Sequence, residues 1–215
     1  MANKENNIAG IRNDYKKEEL SESQTNKNPL LQFDHWLNEA LDANVAEATA
    51  MIFSTVSSDN RPSSRVLLLK GINDNGLVFF TNYQSRKGQE LNNNNAGSIT
   101  FFWPELERQV RIEGFVEKIN VEESEEYFYS RPFDSRIGAY ISPQSKEISK
   151  EELEKRYREA KEKFTEDSLK KPEHWGGYCL VPDYYEFWQG RPGRLHDRIC
   201  YIKDKDEWAK KRLAP

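Results

Sequence analysis

Apolar positions along this chain change their spacing in a way that separates helices from strands. From Pro29 onward, Leu30, Phe33, Trp36, Leu37, Ala40 and Leu41 recur at three- and four-residue intervals, which places them on one face of a helix over roughly residues 29 to 43. The segments ATAMIFSTV (48–56), SRVLLLKGI (64–72) and GLVFFTN (76–82) are instead rich in β-branched and aromatic residues, and SSDNRP and NDNG punctuate them as turns punctuate strands. Asn75-Gly76 offers the positive φ angles that a tight hairpin uses. Two more strands are expected at about 97–103 and 107–118, on either side of a turn at Trp103-Pro104.

Residues 122–141 read as helical with a break at Pro132, and Ser149-Lys150-Glu151-Glu152 has the form of a capping box opening a charged helix to about residue 165. Strand character returns after Pro172 in WGGYCLV, YYEFWQG and LHDRICYI. No GxGxxG follows a strand, so the pattern argues against a doubly wound nucleotide fold. The expected class is mainly β (α+β), a small antiparallel barrel decorated by peripheral helices. Residues 1–28 are polar and short of aliphatics, so they bury too little to offset their ordering entropy. They read as a mobile segment unless a ligand or partner holds them, and residues 29–215 as a single domain.

Composition narrows the function. Lys and Arg number 32 against 36 Asp and Glu, a formal charge of -4, so no global basic field exists to draw in nucleic acid. MANKENNIAG lacks the apolar centre of a signal peptide and no run long enough to span a membrane occurs, so a cytoplasmic protein is expected. Cys179 and Cys200 are too isolated for a disulfide framework or a CxxC metal site and read as small buried residues. His35, His174 and His196 form no metal-binding spacing, so a cofactor should be organic.

Four polar constellations could carry chemistry. Ser85-Arg86-Lys87-Gly88 follows a strand and opens a short helix, where amides and two cations suit a phosphate; from spacing alone, an exposed turn is the commoner outcome. Arg65 and Lys70 lie five positions apart, so an uninterrupted strand directs them to opposite faces, either toward different ligands or simply into solvent. Arg194, His196 and Arg198 alternate, so a strand would line them on one face to meet an anion, the alternative being pairing with Asp197 or Glu186. Tyr127, Arg131 and Ser135 recur every four residues, one helical face if Pro132 does not redirect the axis. No Ser-His-Asp order, paired carboxylates or Walker-type loop is present.

Together with RVLLLK (65–70), FFTNYQSRKG (79–88), LERQV (106–110), YFYSRPFDSRIG (127–138), QS (144–145), EFWQG (186–190), RLHDR (194–198) and RLAP (212–215), these segments closely resemble the pyridoxamine 5′-phosphate oxidase family, in order from about Ile11 to Pro215. The resemblance implies a Greek-key split β-barrel forming a homodimer, with FMN in clefts at the subunit interface. It implies FMN contacts from Arg65, Val66, Leu67, Leu68, Leu69, Lys70, Phe80, Thr81, Arg86, Lys87, Gln109, Gln144, Ser145, Trp188 and Arg198. Lys70, Tyr127, Arg131 and Ser135 would hold the substrate phosphate, and Arg194 and His196 would lie over its reacting carbon as the catalytic pair. Arg12 and Tyr15 match a segment that closes over substrate, a role for the otherwise mobile tail. The implied activity is oxidation of pyridoxamine 5′-phosphate or pyridoxine 5′-phosphate to pyridoxal 5′-phosphate with O2 as acceptor and H2O2 as product. An FMN-dependent reductase of the same fold, or a non-catalytic carrier of flavin or pyridoxal phosphate, are the rival readings. Arg191-Pro192-Gly193, before RLHDR, falls where the family varies.

Overall fold

The computed structural model describes residue 10 and residues 14–215. Contacts group the chain into two compact units, each assembled from separated segments. Unit 1 comprises residues 1–46, 102–110 and 185–215, and unit 2 comprises residues 47–101 and 111–184. Helices α1 (Pro29–Asp42), α2 (Arg86–Asn93), α3 (Val121–Ser130), α4 (Phe133–Ile141) and α5 (Lys150–Lys163) accompany strands β1 (Ala50–Val56), β2 (Pro62–Leu68), β3 (Gly71–Asn73), β4 (Gly76–Asn82), β5 (Ala96–Trp103), β6 (Arg108–Lys118), β7 (Trp175–Gln189), β8 (Asp197–Asp204) and β9 (Glu207–Leu213). No helix among the described residues is long and apolar enough to cross a membrane.

The strand order is β2-β1-β5-β6-β7-β4-β3, and residues 102–103 of β5, 108–110 of β6 and 185–189 of β7 fall in unit 1. The pairings of β1 with β2 and β5, and of β4 with β3 and β7, are antiparallel. Met51, Phe53 and Thr55 alternate inward along β1, while β4 is buried on both faces. Phe53 and Phe79 meet at 4.8 Å between ring centroids and anchor the core with Leu77, Ile99 and Leu180. A second cluster, Phe128, Ile137, Ala160, Leu169 and Trp175, fixes α3, α4 and α5. Ser149 caps α5 by accepting from the Glu152 amide at 3.1 Å, as the capping-box spacing foretells.

Three local features of unit 2 depart from the sequence pattern. SRVLLLKGI is two strands, because the Leu69 amide donates to Thr49 O while the Lys70 amide donates to Val78 O, so the chain changes partners between them. The hairpin turn is Asp74-Asn75, closed by Asn73 Oδ1 accepting from the amides of Asn75 and Gly76 at 3.0 Å each. Asn75 has no positive φ, and Gly76 is needed instead because a Cβ there would stand 2.0 Å from Leu180 O. Finally, α3 and α4 do not form one face through Pro132: Arg131 and Pro132 are extended, and the axis restarts at Phe133.

In unit 1, Asn28 caps α1 by accepting from the Leu30 amide, and Pro29 takes the first turn, where its missing N–H costs nothing. Phe33 stacks on Trp103, and Trp36 meets the edge of Phe187, which meets Tyr201 in turn. β8 pairs with β7 and, antiparallel, with β9, a final strand that the sequence pattern does not announce. Residues 14–28 make contacts that their composition does not foretell. The Leu20 amide donates to Asp197 Oδ2, Tyr201 Oη donates to Asn26 O, and Arg212 pairs with Glu22.

Candidate functional site

Unit 2 contains an open cavity of about 550 Å³ lined by fifteen residues. Ten of these are expected from the sequence: Val66, Leu67, Leu68, Lys70, Phe80, Thr81, Tyr127, Arg131, Ser135 and Gln144. The interruption between β2 and β3 at Leu69-Lys70 and the helix break at Arg131-Pro132 accompany the placement of Lys70 and Arg131 on the wall. Tyr127, Arg131 and Ser135 thus share the cavity by a bend, where the spacing suggested a single helical face. The sequence reading does not find Asn82, Gly138, Ala139, Ser142 or Trp175, which complete the wall. Trp175 opens a strand and reads as core, and only its place at the start of WGGYCLV, next to two glycines, distinguishes it.

The cavity wall carries two cations, Lys70 and Arg131, together with the Tyr127 phenol and the Ser135 hydroxyl. Among the described residues Arg131 Nη1 is buried without a hydrogen-bond partner, a state that leaves a strong donor desolvated and unsatisfied. Burial holds the Arg131 guanidinium below its ordinary pKa, and burial raises the neighbouring Tyr127 phenol above its own. Tyr127 is pinned by a 3.8 Å stack on Phe80.

Arg65, Arg86 and Lys87 do not line that cavity; they surround Glu90, in the same unit. Ser85 caps α2 by accepting from the Gly88 amide, which confirms SRKG as a helix start. Glu90 accepts from Thr55 Oγ1 at 2.5 Å, Ser63 Oγ at 2.7 Å and Arg86 Nε at 2.9 Å, with Arg65 Nη2 at 3.3 Å. Burial alone would raise this carboxyl, but these hydrogen bonds and the Arg65 charge bring it down to about 2. Lys87 is buried and donates to Thr81 Oγ1, Ser85 Oγ and Gln144 Oε1. Burial and the Arg65 charge lower its ammonium to about 8. Three cations therefore stand around one carboxylate. Leu69 is buried behind β2, and Ser145 is exposed in a left-handed conformation beside Gln144.

The remaining expected residues lie in unit 1. Arg194, His196 and Arg198 do not alternate on a strand, because Gly193 and Arg194 both take left-handed φ angles, 64° and 63°, and β8 starts only at Asp197. Arg198 pairs with Glu186 at 2.8 Å and donates to Ala214 O, while Arg194 is exposed. His196 Nδ1 accepts from the Arg191 amide at 3.1 Å, which leaves Nε2 as the protonated nitrogen of the neutral ring. Burial, then the Arg194 charge, lowers its pKa and favours that neutral form. The ring lies 4.8 Å from Trp188 and 5.6 Å from Tyr15, which meets Trp188 edge-on. Gln109 is half-buried on β6, and Arg12 lies outside the described residues.

Comparison with known proteins decides the family. The family model described as pyridoxamine 5′-phosphate oxidase matches residues 37–163, and the pyridoxine 5′-phosphate oxidase C-terminal dimerisation region matches residues 175–215. The chain belongs to the pyridoxamine 5′-phosphate oxidase family. Relatives carrying the name pyridoxine/pyridoxamine 5′-phosphate oxidase include one from Cytophaga hutchinsonii, 50% identical over 97% of this chain and 99% of its own. Another, from Actinobacillus pleuropneumoniae, is 52% identical over 97% of this chain and 99% of its own. Among solved structures, PhzG from Burkholderia lata, in complex with tetrahydrophenazine-1-carboxylic acid, is similar with a TM-score of 0.85 and 31% identity over 90% of this chain and 95% of that one. An FMN-binding protein from Nostoc punctiforme, related to pyridoxamine 5′-phosphate oxidase, shares the fold with a TM-score of 0.70 and 17% identity over 85% of this chain and 97% of that one. The fold class is thus the antiparallel split barrel with helices that the sequence leads one to expect.

Proposed function

We propose that the protein is an FMN-dependent oxidase that converts pyridoxamine 5′-phosphate or pyridoxine 5′-phosphate to pyridoxal 5′-phosphate. Dioxygen is the electron acceptor and hydrogen peroxide the product. The carrying observation is the convergence of Lys70, Tyr127, Arg131 and Ser135 on one cavity, with a buried Arg131 donor that no group among the described residues satisfies. Two cations, a phenol and a hydroxyl offer a phosphate monoester both charge and hydrogen bonds.

The donor set around Glu90 fits a flavin phosphate. Arg65, Arg86 and Lys87 against one carboxylate leave two positive charges, and a phosphate monoester carries about −1.5 to −2 at neutral pH. FMN, when bound, supplies the hydride acceptor and the reaction with O2. The chain supplies the rest: the cavity residues fix the substrate by its phosphate, and His196, neutral with an Nε2–H donor, and the exposed Arg194 are the residues that the family resemblance assigns to turnover. The match to a dimerisation region at residues 175–215 supports a homodimer.

The test is hydrogen peroxide release by the FMN-loaded protein. Release with pyridoxine 5′-phosphate and none with NADPH supports the oxidase. Oxidation of NADPH alone favours a reductase of the same fold, and ligand binding without turnover favours a carrier.

A further inference from the structure

Trp175 has no role in the phosphate reading above, yet it touches the residue on which that reading depends. The Arg131 guanidinium lies 4.8 Å from the centre of the Trp175 ring. Among the described residues, Arg65, Arg108, Arg136 and Arg198 are each paired with a carboxylate: Glu90, Glu39, Glu166 and Glu186. Arg65, Arg108 and Arg136 lie over aromatic rings as well, but among the described residues Arg131 has its ring face without a carboxylate beside it.

That difference has a chemical consequence. A carboxylate holding an anion-binding arginine occupies its donors and cancels its charge, so it competes with the ligand. An indole face attracts the cation through its quadrupole and leaves the N–H groups, which lie in the guanidinium plane, open to a phosphate. The indole is itself immobile. Trp175 is buried, lies 5.6 Å from Phe80 and 6.2 Å from Tyr127 in near-parallel stacks, and meets Phe128 edge-on at 5.3 Å. Its backbone is fixed by pairing with Asn82 and by donation from its amide to Pro172 O.

We infer that Trp175 is a positioning residue for phosphate recognition: its ring face holds Arg131 in place of a carboxylate, so that the guanidinium stays oriented and charged with its donors free. The inference rests on the reading of the cavity as the substrate-phosphate site.

The experiment uses the FMN-loaded protein and two unreactive ligands, 4-deoxypyridoxine 5′-phosphate and its dephosphorylated form, measured by calorimetry in wild type, Trp175→Phe and Trp175→Leu. The readout is the ratio of the two affinities, beside FMN retention and melting temperature. The ratio should fall about threefold in Trp175→Phe, which keeps a weaker ring face, and up to about thirtyfold in Trp175→Leu, which keeps none. FMN retention should be unchanged. An unchanged ratio in Trp175→Phe and Trp175→Leu, or equal weakening of both ligands, overturns the positioning role, since a purely structural residue would not distinguish them. If Trp175→Leu does not fold, the ratio in Trp175→Phe decides. Equal affinity of the wild type for the two ligands would overturn the phosphate reading itself, and this inference with it.

Discussion

Lys87 Nζ donates to Gln144 Oε1 at 2.9 Å, joining the first turn of α2 to the loop after α4 across 57 residues of chain. The ammonium is buried and its pKa lies near 8, down from an ordinary 10.5. A group whose folded-state pKa is lowered leaves the unfolded chain holding more protons between about 8 and 10.5, so its contribution to stability rises with pH across that window. An anion at the site needs the charged form. FMN affinity of the apoprotein, followed by fluorescence quenching, should therefore fall as pH rises through 8, with proton uptake on binding, and Lys87→Met should flatten that dependence.

Arg131→Ala removes a charge-assisted donor, an interaction worth about 1.5 to 3 kcal/mol. KM for pyridoxine 5′-phosphate should rise about ten- to a hundredfold with a smaller change in kcat, because the phosphate is held alike in ground and transition states. Steady-state kinetics checks this, and FMN content should match wild type.

His196 and Arg194 are expected to matter for turnover more than for cofactor retention. In His196→Ala and Arg194→Ala, kcat should fall at least tenfold while the flavin-to-protein ratio stays near that of wild type. The His196 pKa is lowered, so the neutral ring is the stable form in the fold, and its stabilising share is lost as pH falls below the ordinary 6.5. Turnover should accordingly decline on the acid side.

Gly138 lies inside α4 on the cavity wall, and beyond its chain neighbours and its own helix backbone a Cβ there would meet no atom of the described residues within 4 Å. Gly138→Ala should raise stability by up to about 1 kcal/mol through helix propensity and weaken ligands that fill the cavity. Gly88→Ala, whose Cβ would stand 2.1 Å from Tyr83 O, should instead destabilise. Thermal melts with and without ligand separate the two cases.

Much of this fold is legible from local pattern, since α1, the α5 cap and the central strands follow side-chain periodicity and capping chemistry. What escapes depends on distant partners. Leu69 and Lys70 end β2 because their amides bond to Thr49 and Val78, and nothing in RVLLLK says so. RLHDR looks like a strand, yet the left-handed pair Gly193-Arg194 keeps its first residues out of β8. Residues 14–28 look too polar to order, but their partners Asp197, Tyr201 and Arg212 lie some 175 to 190 positions away. At the site, charged and hydroxyl side chains announce themselves, whereas Trp175 and Gly138 act through a ring face and an absent side chain.

Anaerobic titration of the FMN-loaded protein tests the central claim most directly. Pyridoxine 5′-phosphate should bleach the visible flavin band with about one equivalent per flavin, and pyridoxine without its phosphate should leave the band intact at the same concentration. Equal bleaching by both compounds, or none by either, would contradict a site in which Lys70, Tyr127, Arg131 and Ser135 hold the substrate by its phosphate.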